Sequence, residues 1–178
     1  TPLFKKANEV RVSGYFGVPS AQIQAAYAPA NHIGLLGNVN YGVRPKKGDS
    51  DFYDEHTFYE LGAGYFYQFE NKTICETYAG FGEGVSALGD LSFNPETIIS
   101  KKKSSGNYAR IFLQQNVGSS PDSSIDAALS LRISGVHFMR FSTDKPSQNK
   151  RLTTILFEPA LTAKYGWHSF KFVFQALF

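Results

Sequence analysis

Residues 59–69, YELGAGYFYQF, carry the pattern that decides the fold of this chain. Apolar side chains stand at alternate positions, and most positions between them carry Glu60, Gln68 or glycine. A period of two residues is typical of a β-strand with two unlike faces. The segment therefore predicts a strand with one apolar face and one face of polar or very small side chains.

The same alternation recurs along the rest of the chain, and a helical period is nearly absent. We therefore predict an all-β fold with nine strands. The predicted strands are residues 9–18, 21–28, 32–41, 58–69, 73–85, 108–118, 124–138, 153–167 and 169–178. Long polar connections are expected at residues 42–57, 86–107 and 139–152. Because strands alternate in direction in a meander, the long connections should gather at one end of the sheet and the tight turns at the other.

Two architectures fit this alternation, and they differ in which face lies inside. A soluble barrel buries the apolar face, whereas a transmembrane barrel turns it to lipid. The second is favoured by strands of about ten residues, by aromatics near the ends of the apolar face such as Tyr27, Tyr41 and Trp167, and by a polar face that mixes opposite charges with small residues. We expect a closed antiparallel up-and-down transmembrane β-barrel of about eight to ten strands over residues 9–178, preceded by a tether at residues 1–8.

Composition excludes several classes of protein. Hydrophobic residues make up 42% of the chain and charged residues 19%, which argues against disorder, and no stretch approaches the ~18 apolar residues of a membrane helix. The single Cys75 cannot form an internal disulfide, and no zinc-ligand spacing is present. A net charge of +3, without basic residues interleaved with aromatics, does not indicate a nucleic-acid partner. We therefore expect no metal, no cofactor and no nucleic acid.

The polar face carries charges of both signs. Glu76 belongs to it if the preceding turn is a three-residue loop or a bulge; a two-residue turn at Asn71 and Lys72 would instead direct Glu76 to lipid, which is costly, and we expect the first arrangement. In a barrel of about eight strands such charges fill the lumen, so we interpret them as a paired ionic plug. The predicted interior network is Arg11, Glu60, Glu76, Arg110, Asp126, Arg132, Glu158, Lys164 and Lys171.

Two segments resemble a known family. The C-terminal FKFVFQALF (residues 170–178) and the hairpin AQIQAAYAPANHIGLLGNVNYG (residues 21–42) are similar to strands of small outer-membrane β-barrels of the OmpA/OmpX type from Gram-negative bacteria. The resemblance implies an outer-membrane location, and recognition by the barrel assembly machinery through Phe170, Phe172, Phe174 and Phe178. The start TPLFKKANEV resembles the end of a tether after a lipidated cysteine, as in barrels that are also lipoproteins.

The chain departs from this family in its strand count. Family members usually have an even number of strands and both termini at one side of the membrane, whereas nine strands are predicted here. Either one predicted strand lies outside the barrel, or a tenth is present in a long connection, for instance near residues 91–99.

Two features outside the barrel wall suggest further chemistry. The two longest connections are basic and suit lipopolysaccharide phosphates or an acidic partner; their basic residues are Lys101, Lys102, Lys103, Arg140, Lys145, Lys150 and Arg151. His56 and His137 could approach each other at the same end, as in an acyl-transfer site. The acids and the serine near them are Asp51, Asp54, Glu55 and Ser142. Their spacing, however, matches no catalytic motif. We therefore expect no catalysis.

These observations predict a non-catalytic structural or accessory subunit of an outer-membrane protein complex, in contact with membrane lipid, lipopolysaccharide and other outer-membrane proteins. One alternative is a narrow channel or lipid-binding barrel. A second is a lipid-modifying enzyme at the barrel rim, such as a lipid-A acyl hydrolase or acyltransferase.

Overall fold

A computed structural model describes residues 2–16, 20–44, 53–94, 97–119, 124–142, 153–166 and 171–177. These described residues form nine strands. They are β1 (Val10–Phe16), β2 (Ser20–Ala30), β3 (Ile33–Arg44), β4 (Tyr53–Gln68), β5 (Thr73–Asn94), β6 (Thr97–Ser119), β7 (Ile125–Ser142), β8 (Thr153–Gly166) and β9 (Lys171–Leu177). Among the described residues, no helix has the length and apolar character needed to cross a membrane.

The nine strands form one sheet in sequence order, and every neighbouring pair is antiparallel. The sheet curls until it is nearly closed into a barrel. The predicted all-β, up-and-down fold is thus confirmed. Because the number of strands is odd, β1 and β9 run in the same direction.

The three predicted long connections are wrong in part. Residues 42–44 belong to β3, residues 53–57 to β4 and residues 139–142 to β7. The largest error is at residues 86–107, expected as a long loop, where residues 86–94 and 97–107 continue β5 and β6 as paired strands up to Asn94 opposite Thr97. Residues 91–94 and 97–99 therefore extend two existing strands and supply no tenth one. This hairpin extends beyond the apolar part of the sheet. Both faces of a strand can be polar there, so the alternation of apolar residues does not predict it.

The two faces of the sheet differ sharply in burial. Apolar side chains point outward and are exposed; Phe16 is 90% exposed and Ile133 44%. Polar side chains point inward and are buried; Asn116 and Asp126 are each 0% exposed. Of the two architectures that fit the sequence, the chain adopts the one whose apolar face lies outside.

Glycines on the inward face of β5 make room for large side chains of β6. A Cβ atom at Gly80 would lie 2.5 Å from the Phe112 ring, and one at Gly84 would overlap the Tyr108 ring. Real Cβ atoms do not approach so closely, so both positions require glycine in this packing. The glycine-rich run at residues 80–84 therefore serves interior packing.

Candidate functional site

The barrel interior holds the residues predicted as a charge network, and most of them form pairs. Three ion pairs join members of the predicted set: Arg132 with Glu60 at 2.7 Å, Arg110 with Glu158 at 2.6 Å, and Lys171 with Asp126 at 2.9 Å. Lys164, which is 6% exposed, lies opposite Asp126 in the pairing of β7 with β8. These pairs connect strands that are far apart in the sequence.

Arg132 contacts three interior side chains, Glu60, Gln114 and Phe112. Its Nη1 donates to Oε1 of Glu60, while Nε and Nη2 both donate to Oε1 of Gln114. Its guanidinium also lies 4.4 Å from the centre of the Phe112 ring, in a cation–π contact. The Glu60 side chain is 0% exposed and accepts a second hydrogen bond, of 3.2 Å, from Nδ2 of Asn38. This cluster crosses the middle of the barrel from β3 to β7.

Arg110 forms a second and more open cluster. Its Nη2 donates to Oε2 of Glu158 at 2.6 Å and to the hydroxyl oxygen of Ser134 at 2.7 Å. The Glu158 side chain is 34% exposed, whereas that of Glu60 is fully buried. Removing one partner of a solvent-exposed ion pair costs little stability. Removing one partner of a buried pair costs more, because it leaves an unpaired charge in the interior. The two arginines therefore differ in the environment of the acid they hold.

Glu76 lies inside the barrel because of the turn before it. Phe69 N–H donates to the Thr73 carbonyl at 2.8 Å and Lys72 N–H to the Phe69 carbonyl at 3.0 Å, so residues 70–72 form a three-residue loop. Lys72 has a φ of 65°, the left-handed conformation that such a loop uses. With this offset the even-numbered residues of β5 point inward. Glu76 is 0% exposed.

The partners of Glu76 are neutral donors. Its Oε1 accepts the main-chain N–H of Phe4 at 2.7 Å, and its Oε2 accepts Nδ2 of Asn116 at 3.0 Å. Glu76 thus connects the barrel wall to a segment that precedes the first strand.

That segment, residues 2–8, enters the interior at the tight-turn end, and we refer to it as the N-terminal plug. Its side chains Leu3 and Phe4 are each 0% exposed. The Phe4 ring lies 5.5 Å from that of Phe66. At the rim, Asn8 N–H donates to the Ala28 carbonyl at 2.7 Å, which fixes the point of entry. Residues expected in a tether therefore occupy the barrel, and a tethering role remains a prediction.

One inward charged residue that the sequence prediction missed lies directly after the plug. Glu9 forms an ion pair of 2.8 Å with Arg11, and its side chain is 17% exposed. Within the described residues, Glu9 brings the inward acids to five, equal to the five inward bases. Its position just before β1, in strand alternation with Arg11, was the signal available in the sequence.

The histidines proposed for a rim site lie apart. His56 is half-buried inside the barrel, where its Nε2 and Oδ1 of Asn40 are 2.9 Å apart. His137 is exposed on the outer face, with its Nδ1 2.9 Å from Oγ1 of Thr153. The two rings therefore lie on opposite faces of the sheet. Asp51 and the Ser142 side chain lie outside the described residues, and the absence of catalysis remains a prediction.

The proposed assembly signal and contact loops are only partly described. Phe172 and Phe174 point outward from β9 and are 54% and 67% exposed. Phe170 and Phe178 lie outside the described residues. The backbone of Lys101, Lys102, Lys103 and Arg140 belongs to β6 and β7, but their side chains are not among those described, and Lys145, Lys150 and Arg151 lie outside entirely.

An aromatic cluster marks the outer surface at the tight-turn end. The His32 ring stacks against Tyr65 and Tyr67, with ring centres 5.4 and 5.9 Å apart. Tyr67 in turn meets Phe69 edge-on at 4.9 Å. Rings of this kind, with an apolar body and a polar atom, favour the boundary between hydrocarbon and water.

Comparison with family models, with curated proteins and with solved structures gives no match to this chain. Within the described part of the chain, no group of three or more histidine, cysteine or acidic side chains is placed to hold a metal ion.

Proposed function

We propose that this chain is an integral β-barrel protein of the outer membrane of a Gram-negative bacterium, and that it is a non-catalytic structural or accessory subunit of a membrane protein complex. One observation carries the proposal: the exposed outer face is apolar and the buried inner face is charged. In water this arrangement would leave a large apolar surface uncovered. In a bilayer the same surface is covered by lipid.

The dimensions of the apolar surface support the membrane assignment. On β7 the outward side chains are apolar or glycine from Ile125 to Gly135, and the next outward residue is His137. With a rise of about 3.4 Å per residue and a tilt of about 40°, this stretch spans roughly 25 Å of the membrane normal. That height matches the hydrocarbon-facing band of outer-membrane barrels. The aromatic cluster around His32 lies where one boundary would be.

The filled interior supports a structural role over transport. The Arg132 and Arg110 clusters cross the lumen, and the N-terminal plug covers the tight-turn end. A barrel of about this size has little free space once its inward side chains are packed. Ions would have to displace these pairs in order to pass.

The expected partners follow from the outer face of β9 and from the basic residues at one end of the barrel. The outward aromatics of β9 suit recognition by the barrel assembly machinery, as the resemblance to OmpA/OmpX-type barrels implies. The basic residues at the end opposite the tight turns, such as Lys101 and Arg140, suit the phosphates of lipopolysaccharide or an acidic protein surface. Other outer-membrane proteins would then contact the loops or the outer face.

Extraction from the native membrane in mild detergent, followed by measurement of the mass and composition of the particle, tests this function. Stoichiometric partner proteins are expected in the particle. A lone barrel of about 20 kDa would reject the subunit role and favour a channel or lipid-binding barrel, which conductance in a planar bilayer then detects. Recovery in the soluble fraction without detergent would reject membrane insertion itself.

A further inference from the structure

The strands β1 and β9 are the two edges of the sheet. Among the described residues, β1 pairs only with β2, and β9 only with β8, although the sheet is nearly closed. Each edge strand therefore presents a row of backbone N–H and C=O groups to the gap between them. We call this gap the seam, bounded by Val10–Phe16 on one side and Lys171–Leu177 on the other.

Side chains beside the seam lack cover on one side. The inward residues of β1, Arg11, Ser13 and Tyr15, are half-buried, whereas inward residues of β2 such as Ala26 and Ala28 are buried. On β9, Lys171 and Val173 are likewise half-buried, and Gln175 is exposed. The missing neighbour thus affects the inner face as well as the backbone.

A bilayer does not tolerate such edges, because hydrocarbon offers no hydrogen-bond partner to an open strand. Direct closure would make β1 and β9 a parallel pair, the only one in a sheet that is otherwise antiparallel. One added strand pairs with both edges in the antiparallel manner and raises the strand number to an even one, as is usual for outer-membrane barrels.

We propose that the seam binds an extended segment of a partner outer-membrane protein as a tenth strand, antiparallel to both β1 and β9. This inference rests on the proposed function as a complex subunit. The N-terminal plug is committed to the interior through Phe4 and Glu76. A connection between two strands is also a poor source of a single added strand. Both its ends are held by the sheet, so it would have to run down the seam and back.

The seam also defines the chemistry of the segment it binds. Both edges measure seven residues, so the segment is about that long. Its outward side chains adjoin Val12, Phe16 and Phe174, which are 67%, 90% and 67% exposed, and are therefore apolar. Among the described side chains the inward charges balance, so the inward side chains of the segment are small and neutral.

Cysteine pairs in native membranes test direct closure, with Cys75→Ser in every variant. Neighbouring strands are about 4.8 Å apart, within disulfide reach, whereas an intervening strand places β1 and β9 about 9.6 Å apart, beyond it. Ser13→Cys with Gln24→Cys, which are register partners, should crosslink. Ser13→Cys combined with Val173→Cys or with Gln175→Cys should not. Efficient crosslinking of either β9 pair would overturn the proposal.

A photoreactive benzophenone residue in place of Phe174 identifies the bound segment, and one in place of Phe157, outward on β8, is the control. We expect the Phe174 probe to join a partner segment of alternating apolar and small neutral residues, as mapped by mass spectrometry, and the Phe157 probe to join lipid. Adducts of the Phe174 probe with β1 of the same chain, with lipid alone, with a second copy, or with a partner helix would overturn the proposal.

The mass of the extracted particle separates the two proposals. A particle that contains a partner, but whose partner crosslinks only outside the seam, would reject the tenth strand and leave the subunit role standing. A lone barrel would reject both.

Discussion

The main-chain N–H of Phe4 donates a hydrogen bond of 2.7 Å to Oε1 of Glu76, a residue 72 positions further along the chain. Both groups are buried, so neither can exchange this partner for bulk water. The bond joins the N-terminal plug to the far wall of the barrel, and it gives a carboxylate inside the lumen a partner that carries no charge.

Glu76→Ala should lower the free energy of unfolding by about 1–3 kcal/mol, because the Phe4 N–H and the Asn116 amide both lose their acceptor. Glu76→Gln should lower it less, since the amide oxygen still accepts one of these bonds. Urea unfolding in lipid vesicles measures both variants. Glu70→Ala, at an exposed turn position, serves as the control and should change stability by less than about 0.5 kcal/mol. An Ala variant as stable as the parent would show that the bond is unimportant.

Phe4→Ala should release the N-terminal plug, because it removes the ring that packs beside Phe66. We expect faster cleavage by trypsin after Lys5 and Lys6, whose side chains are exposed just outside the buried part of the plug. The rate of loss of the intact N-terminus, followed by mass spectrometry, measures the change. Lys6→Gln in the same background removes one cleavage site and identifies the bond cut. Equal rates for variant and parent would mean that Phe4 does not hold the segment.

Arg132→Ala should destabilise the barrel more than Arg110→Ala does. The first change leaves Glu60 fully buried without its cation, at a cost of about 3–5 kcal/mol. The second leaves Glu158, which is 34% exposed and can be hydrated. Urea unfolding of both single variants, and of each double variant that also removes the acid, measures the pair energies.

Conductance measured on the same Arg110→Ala protein tests the paired ionic plug. A small change in conductance is expected, because the Arg132 cluster and the N-terminal plug still fill the lumen. A steep rise would contradict the plug and favour a channel.

Leu129→Arg places a charge on the outer face, near the middle of the apolar stretch of β7 between Ile125 and Gly135. In a bilayer this change should cost about 2–4 kcal/mol, whereas His137→Arg, at the boundary, should cost about 0–1 kcal/mol. Unfolding in vesicles measures the difference between the variants. In a soluble protein Leu129→Arg would be tolerated, so equal stability of the two variants would contradict the membrane assignment.

The sequence predicted all nine strands because lipid-facing and interior positions differ so strongly in chemistry. In the structure, the alternation at residues 59–69 places Tyr59 and Leu61 outside and Glu60 inside. Where a strand leaves the apolar band, that contrast ends. The part of the β5–β6 hairpin farthest from the tight turns was therefore predicted as a loop.

Long-range partners could not be predicted from the alternation. It places Arg132 and Glu60 on the same face, but the pair forms across the lumen, and its geometry depends on the curvature of the whole sheet. Burial of Leu3 and Phe4 was missed for a different reason: a short segment with no period carries no signal of the cavity that receives it. Glu9 was missed with them.

The odd number of strands also affects how the protein would insert into a bilayer. β1 begins at the tight-turn end, and β9 ends at the same end as the tall hairpin of β5 and β6. In a bilayer the carboxyl end of β9 would therefore lie on the same side as the hairpin tips, and the amino end of β1 on the opposite side. Whichever side of the bilayer the tight turns occupy, either the start of β1 or the end of β9 would have to cross the hydrocarbon during insertion.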